Sequence, residues 1–338
     1  MFPEDRVLVN YREMINHEGK DMTPMSRSID LSIVVPVYNS QDCLKELVRR
    51  INESLMTINR SFEIILINDG SSDMSWDVIR SLASAGNNVR GISLRKNFGQ
   101  DAALMAGLGE IRGRYAVIMD DDLQHDPKYI PGLITEIEKG FDVVYGRYAQ
   151  KRQAWWKNAG SWFNDKVATF LLKKPANVYL SPYKIIAVEA VREICKYQGA
   201  YPYVDGLLFR VTNRFSQIAI EHQDRYAGKS HYTVLRSILV WSNLATNFSI
   251  FPLRIATFLG LLASACGIVM ALFMLIHRLI NPDWPAGQAS IIVSVLTLGG
   301  IQLFTIGVLG EYIGRMYLNI NRQPQYVIAE KTDGETVP

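Results

Sequence analysis

The chain has 338 residues, 48% of them hydrophobic, which is enough for a full core and leaves room for roughly two domains. Its formal net charge is only +3 and its basic residues are scattered, so we expect no nucleic-acid partner. The three cysteines, Cys43, Cys195 and Cys266, lie far apart without a CxxC pair. This spacing indicates neither a disulfide framework nor a zinc site, and it suits a reducing compartment.

The first half of the chain alternates apolar strands with helices of roughly ten residues. The predicted strands cover 31–39, 62–73, 91–97, 115–121 and 141–146. The predicted helices cover 42–55, 76–83, 100–111 and 130–140. This order predicts an α/β fold with a mostly parallel, Rossmann-like sheet covered on both faces. Ligands of such folds bind at the carboxyl ends of the strands.

Three consecutive aspartates follow the fourth predicted strand, in MDDDLQHDP (119–127). Adjacent like charges are costly to hold, so such a cluster indicates a bound cation or proton, or else a plain acidic turn. An EF-hand loop is excluded because His125 stands where Gly is needed and Pro131 where a bidentate Glu is needed. We therefore expect a divalent metal held by few protein oxygens, with positions open to a substrate phosphate.

Polar residues also follow the other predicted strands. Asn39 comes after the first strand, Asp69 and Ser71 after the second, and Asn97 after the third. Because parallel strands end at one edge of a sheet, we expect these residues to share one site with the aspartates.

The last quarter contains two uncharged apolar runs, Ile255–Ile276 and Ala289–Gly310. Each would span about 33 Å as a helix, enough to cross a bilayer, although a pair of buried core helices is the alternative. Basic residues favour the side that holds both chain ends, which predicts a cytoplasmic main domain. Before the first run, 233–251 has one apolar helical face, as an interfacial helix or an ordinary domain helix would.

Five motifs carry a resemblance to a known family. They are PVYN (36–39), NDGSSD (68–73), NFGQDAALMAG (97–107), MDDDLQHDP (119–127) and GVLGEYIGRMY (307–317). In this order they resemble the family 2 glycosyltransferases of GT-A fold. The C-terminal hairpin narrows the resemblance to polyisoprenyl-phosphate glycosyltransferases, such as bactoprenol glucosyl transferases and dolichol-phosphate mannose synthases. The resemblance covers about 30–330 of the chain.

The composition of the chain and the resemblance together predict six segments. They are a polar extension over 1–27, a GT-A domain over 28–232, an interfacial helix over 233–251, transmembrane helices over 253–280 and 288–312, and a cytoplasmic tail over 313–338. The protein would then be a multi-pass protein of the cytoplasmic (inner) membrane, with the bilayer as a partner. A homo-oligomer stays open.

The resemblance also implies a donor site. Mg²⁺ or Mn²⁺ would be held by Asp120 and Asp122 with Gln124 as a further ligand, while Asp121 has no implied role. Asp69 would accept a hydrogen bond from the nucleotide base. The implied nucleotide-sugar contacts are Pro36, Tyr38, Asn39, Asp69, Asn97, Gly99 and Asp120.

The acceptor side departs from the family pattern. No carboxylate occurs between Lys166 and Val188, where several relatives carry an acid, and Lys184 stands where Arg is usual. A lipid phosphate, with a second pKa near 6, is itself a nucleophile at neutral pH and needs only cations to orient it. The candidate cations are Arg147, Lys184, Arg225 and Lys229, and the first three join Asp122 as catalytic candidates. Asp205 could serve as a base by chemistry alone, but bracing a loop is the favoured interpretation.

The implied reaction is inverting transfer of one hexose, glucose being preferred, from a UDP-sugar to undecaprenyl phosphate at the cytoplasmic membrane face, for later glycan modification. Alternative donors are a UDP-4-amino-arabinose derivative, UDP-N-acetylhexosamine and GDP-mannose. A non-catalytic lipid-carrier-binding protein is the alternative outside enzymes. A processive polysaccharide synthase is disfavoured, since there are two spans and no QxxRW motif.

Overall fold

The computed structural model describes residues 29–86, 88–148, 174–175, 178–221, 251–280, 287–321 and 323–332. The predicted extension over 1–27, residues 233–250 of the predicted interfacial helix, and the candidate cations Arg225 and Lys229 lie outside these ranges.

A mixed eight-stranded sheet forms the centre of the domain, in the order β7-β5-β6-β4-β1-β2-β3-β8. The strands are β1 Leu31–Val37, β2 Phe62–Asn68, β3 Val89–Leu94, β4 Tyr115–Ile118, β5 Val143–Tyr148, β6 Lys184–Ala187, β7 Phe215–Ile220 and β8 Ile328–Lys331. β1 pairs in parallel with β2 and β4, β2 with β3, and β5 with β7. β6 is antiparallel to both β4 and β5, and β8 is antiparallel to β3.

Helices cover both faces of this sheet. In the domain they are α1 Leu44–Met56, α2 Ser75–Ala85, α3 Gln100–Leu108, α4 Ile130–Ile137, α5 Val188–Cys195 and α6 Val204–Val211. The apolar side chains of α1, α2 and α4 form one core layer, and those of α3, α5 and α6 form the other. Every residue of β1 is buried. Its alternate residues Ile33 and Val35 join the first layer while Val34 joins the second, as the two-residue period of a strand requires.

The five predicted strands and four predicted helices are confirmed, with bounds that differ by a few residues from those predicted. β6, β7 and β8 were not predicted. β6 has only four residues, too few for a periodic signal, and the edge strand β7 is only partly buried. The sheet is therefore less parallel than the sequence suggested, because β6 inserts antiparallel between β4 and β5.

Two long helices form the C-terminal part, α7 Phe251–Ile280 and α8 Gln288–Ile320. Within the described residues, the segment Leu253–Met270 is long and apolar enough to cross a membrane. α8 continues past residue 312, where the predicted second span ended. The predicted tail then returns to the domain as β8, because its strand pairs with the otherwise open edge of β3.

Candidate active site

The site lies where β1, β2, β3, β4 and β5 end and β6 begins. Strand pairing brings these ends together: Ile118 at the end of β4 is opposite Lys184 at the start of β6, and Tyr145 of β5 also pairs with Lys184. The loops that follow the strands therefore meet at one edge of the sheet, as the sequence predicted.

The loop after β1 is tied to the loop after β2 by side-chain hydrogen bonds. The Asn39 N–H donates to Ser71 Oγ at 3.0 Å, and Asn39 Oδ1 accepts from the Ser72 N–H at 2.8 Å. Asn39 has a φ of 53°, a left-handed conformation that Asn tolerates better than most residues. Tyr38 beside it is 52% exposed, so its ring is available to a ligand. The predicted first nucleotide loop is thus braced at Asn39 and open at Tyr38.

Asp69 holds the loop after β3. Its carboxylate accepts the Phe98 N–H at 2.7 Å and the Gly99 N–H at 2.9 Å. Burial raises the pKa of Asp69, and these two hydrogen bonds oppose that rise. Each carboxylate oxygen can accept a second hydrogen bond, so the predicted contact to a base remains compatible with this bracing.

One glycine in the loop after β2 and one in the loop after β3 allow these loops to follow their paths. Gly99 has a φ of 94°, which only glycine adopts readily, and a Cβ built there would meet no atom within 4 Å. A Cβ on Gly70, by contrast, would approach the Asn97 backbone nitrogen to 2.5 Å. Asn97 therefore lies against the loop after β2, and the backbone beside Gly99 faces open space.

Asp120, Asp122 and His125 form the metal-type cluster after β4. Each has an atom of a type that can bind a metal ion, and these atoms lie within 4.8 Å of one another. Asp120 Oδ1 also accepts from Gln100 Nε2 at 2.7 Å, and Asp122 Oδ1 accepts the Gln124 N–H at 3.1 Å. Carboxylate oxygens are the ligands that Mg²⁺ and Mn²⁺ prefer, so this donor set fits the predicted ion.

Asp121 is not the bystander that its middle position suggested. Its carboxylate accepts the Tyr38 N–H at 3.2 Å and so joins the aspartate loop to the loop after β1. Burial raises the pKa of Asp121 to about 6, and the charges of Asp120 and Asp122 add to the rise. Hydrogen bonds from the Ser40 side chain and the Tyr38 N–H oppose it. The middle aspartate thus connects two site loops.

Lys184 is buried and paired, which the sequence did not suggest. Its ammonium forms an ion pair with the Asp205 carboxylate, which also accepts the Tyr145 hydroxyl at 2.9 Å. The ammonium lies 5.3 Å from the centroid of the Tyr145 ring. Asp205, which was expected to brace a loop, instead braces the first turn of α6 against the sheet, and Lys184 has a carboxylate partner within the protein itself.

Asp101 adds a second carboxyl to this buried group. Its Oδ1 accepts the Val204 N–H at 2.9 Å, which ties the start of α3 to the start of α6. Burial raises the pKa of Asp101 to about 6; the Asp205 charge adds to this, whereas the Val204 hydrogen bond and Lys184 oppose it.

Arg147 occupies the end of β5, opposite Ala219 of β7, with its side chain exposed. Among the described residues it takes part in no ion pair. It is thus an exposed cation beside the site, while Lys184 is an internal one.

The sequence did not single out Gln100, Asp101, His125 or Tyr148. Gln100, Asp101 and His125 lie inside motifs already noticed, so their position was a usable signal. The role of Tyr148 has no signal in the sequence. Its ring stacks on His125 with centroids 6.3 Å apart, a contact that only the fold creates.

Comparisons with known proteins identify the family of the chain. A model of the family Glycosyl transferase family 2 matches residues 32–195, and a model of the GtrB C-terminal hairpin matches residues 251–316. The undecaprenyl-phosphate 4-deoxy-4-formamido-L-arabinose transferase of Aeromonas hydrophila subsp. hydrophila is 30% identical over 315 residues. That match covers 91% of this chain and 95% of the relative.

Solved structures of glucosyl-3-phosphoglycerate synthase from Mycobacterium tuberculosis are also similar. One, in complex with Mn²⁺, UDP-glucose and phosphoglyceric acid, has a TM-score of 0.49 at 15% identity. Another has a TM-score of 0.48 at 16% identity. Each match covers 64% of this chain and 78% of that chain.

The two family matches cover the sheet domain from β1 to α5 and the hairpin of α7 and α8. The chain belongs to glycosyl transferase family 2, has the GT-A fold, and is a polyisoprenyl-phosphate glycosyltransferase.

Proposed function

We propose that this enzyme transfers one sugar from a UDP-sugar to undecaprenyl phosphate at the cytoplasmic face of the inner membrane, with inversion at the anomeric carbon. The observation that carries the proposal is the Asp120–Asp122 pair at the carboxyl edge of the sheet, in a chain with a GtrB-type hairpin. Glucose is the donor sugar that the motif resemblance favours. A 4-amino-arabinose derivative is the second candidate, supported by the name of the Aeromonas relative.

The donor end of the site would be organised around a divalent ion. Asp120 and Asp122 would hold Mg²⁺ or Mn²⁺, with Gln124 as a further ligand, and the ion would stabilise the negative charge that develops on the leaving diphosphate. Tyr38 and the backbone beside Gly99 face open space next to this loop, so they would contact the nucleotide. Asp69, Asp121 and Asn39 fix the surrounding loops in place.

The acceptor phosphate would act as the nucleophile. One of its oxygens attacks the anomeric carbon, the bond from that carbon to the UDP oxygen breaks, and the electron pair leaves on UDP. A dianionic phosphate carries no proton that must be removed first, so no general base is required. Arg147, exposed at the end of β5, would orient it. Lys184 would contribute its positive charge from the interior of the domain, where it is paired with Asp205.

The hairpin would bring the site to its lipid substrate. α7 and α8 are long apolar helices whose side chains are largely exposed in the isolated chain, as expected of surfaces that contact lipid. We propose that both cross the membrane, which places the sheet and β8 together on the cytoplasmic side.

The proposal is tested with the purified full-length protein in detergent. We would incubate it with undecaprenyl phosphate, Mn²⁺ and radiolabelled UDP-glucose, UDP-4-deoxy-4-formamido-arabinose, UDP-N-acetylglucosamine or GDP-mannose, and count the label in the lipid phase. Label from one UDP-sugar, released by mild acid as a single residue, is the expected result.

Asp122→Asn serves as the matched control, since it keeps the size of the side chain but removes a metal-binding charge. We expect it to abolish transfer and to weaken Mn²⁺-dependent UDP binding. Normal turnover by this variant would contradict the metal assignment. Failure of all four donors with the wild-type protein, with UDP binding retained, would contradict the proposed substrates.

A further inference from the structure

His125 belongs to the aspartate loop, residues 119–127, and is 3% exposed. Its Nδ1 accepts the Asp120 N–H at 3.2 Å, a hydrogen bond within the loop itself. Its ring stacks with that of Tyr183, with centroids 5.2 Å apart and planes at 25°. The Tyr183 hydroxyl in turn donates to the Asp126 carbonyl at 3.1 Å. The stacked pair therefore contacts the loop at its first residue, Asp120, and again at Asp126.

The hydrogen bond to Asp120 decides which imidazole nitrogen carries the proton. A backbone N–H can only donate, so Nδ1 must present its lone pair, and the neutral ring then carries its proton on Nε2. In this form neither nitrogen has a lone pair left for a cation. The 3.8 Å approach of Nδ1 to Asp120 Oδ2 is too long for a hydrogen bond. His125 therefore lies close to the carboxylates that would bind the ion, but in this arrangement it cannot bind the ion itself.

The backbone between these two contacts needs side chains packed against it to hold its shape. Leu123, in its middle, is buried with a φ of 62°, a left-handed conformation that is unfavourable for a leucine. Such a backbone persists only where the surroundings hold it. We propose that His125, stacked on Tyr183, positions the backbone from which the carboxylates of Asp120 and Asp122 project, and that it does so through Nδ1 without binding the metal.

Two substitutions separate positioning from ligation. His125→Asn places an acceptor oxygen near the position of Nδ1, whereas His125→Gln extends its amide toward the position of Nε2. Mn²⁺ affinity is measured by titration calorimetry on the full-length protein in detergent, without donor or acceptor. We expect His125→Asn to stay within about threefold of wild type and His125→Gln to weaken binding by about tenfold or more, as loss of a ligand-supporting contact typically does.

The reverse order, with His125→Gln retaining Mn²⁺ affinity and His125→Asn losing it, would show His125 to be a ligand through Nε2 and would overturn the proposal. Wild-type affinity in both variants would overturn it as well. Should both fail to fold by circular dichroism, Tyr183→Phe supplies the test, because it keeps both rings and removes only the hydrogen bond to Asp126. It should weaken Mn²⁺ binding severalfold, and unchanged affinity would count against the proposal.

The inference rests on the proposed metal site but not on the proposed substrates. A wrong donor or acceptor would abolish the transfer assay and leave the Mn²⁺ titrations unaffected. Lack of Mn²⁺ binding by the wild-type protein would overturn the positioning role together with the metal site.

Discussion

Three largely buried carboxyls surround the site, and each one fixes a neighbouring loop or helix start. Asp69 accepts two N–H groups of the loop after β3, Asp101 accepts one from the start of α6, and Asp121 accepts one from the loop after β1. Burial is the first cause of the raised pKa of all three. The site is thus held by groups whose ionised forms are costly to bury, so its integrity should depend on pH.

Asp101 gives the clearest prediction of this kind. Its pKa is about 6 in the folded protein against an ordinary value of 3.8, so between these pH values the folded state binds more protons than the unfolded state. Stability therefore falls as pH rises through this window, by about 3 kcal/mol at most. Asp101→Asn can still accept the Val204 N–H but cannot ionise. Its melting temperature relative to wild type should rise from pH 4 to pH 7.5.

Thermal unfolding of both proteins across this pH range, in one detergent, measures the difference. A difference that stays constant with pH would show that Asp101 ionises as freely in the folded chain as in the unfolded one. The outcome does not involve the metal, because Asp101 contacts α6 and not the aspartate loop.

At the scale of elements, the sequence predicted best where burial is most uniform. β1 and β2 are buried on both faces and appear as continuous apolar runs. The polar residues after them were correctly expected at one edge of the sheet. β6 and β8 are four residues each and β7 is partly exposed, so none gave a distinct pattern.

The Lys184–Asp205 pair shows what sequence patterns omit. Lys184 was expected to contact the acceptor phosphate because it stands where the family pattern has Arg, since the sequence gives its charge but not its partner. The partner is 21 positions away in the chain and meets it only when α6 packs on the sheet. Interactions between elements this distant are set by tertiary packing rather than by local sequence.

This pair is open to a double-mutant cycle. Lys184→Met and Asp205→Leu each leave one buried charge without its partner, and each should destabilise the protein by about 3–5 kcal/mol. The double variant should recover much of this loss, because no unpaired charge then remains. Unfolding by urea, followed by tryptophan fluorescence, measures the three variants.

Arg147→Ala is the matched control on the neighbouring strand. Because Arg147 is exposed, its loss should change stability by about 0.5 kcal/mol or less, yet raise the KM for polyprenyl phosphate more than that for the UDP-sugar. In the Lys184–Asp205 cycle, a double variant whose loss of unfolding free energy equals the sum of the two single losses would contradict the coupling. Equal KM effects on both substrates would remove Arg147 from the acceptor side.

At the scale of the whole molecule, the chain leaves the domain for the hairpin and then returns to it. α8 ends at Ile320, and β8 begins at Ile328. Within β8, Glu330 accepts from Trp76 Nε1 at 3.1 Å and Lys331 pairs with Glu110 at 3.0 Å. The short connection, at most about 25 Å when extended, ties the end of the hairpin to the edge of the catalytic sheet.

This return of the chain predicts that residues 327–332 stabilise the domain, although they lie far from the aspartate loop in sequence. Deletion of 327–338 would remove β8 and leave β3 as an open edge, with its Gly91 and Arg95 N–H groups unpaired. We expect a melting temperature several degrees lower and aggregation in detergent, measured by differential scanning fluorimetry with light scattering. The control is a variant that lacks only 333–338. Its melting temperature should equal that of the full-length protein, because β8 ends at Lys331. Equal melting temperatures for both deletions would show that β8 adds no stability to the sheet.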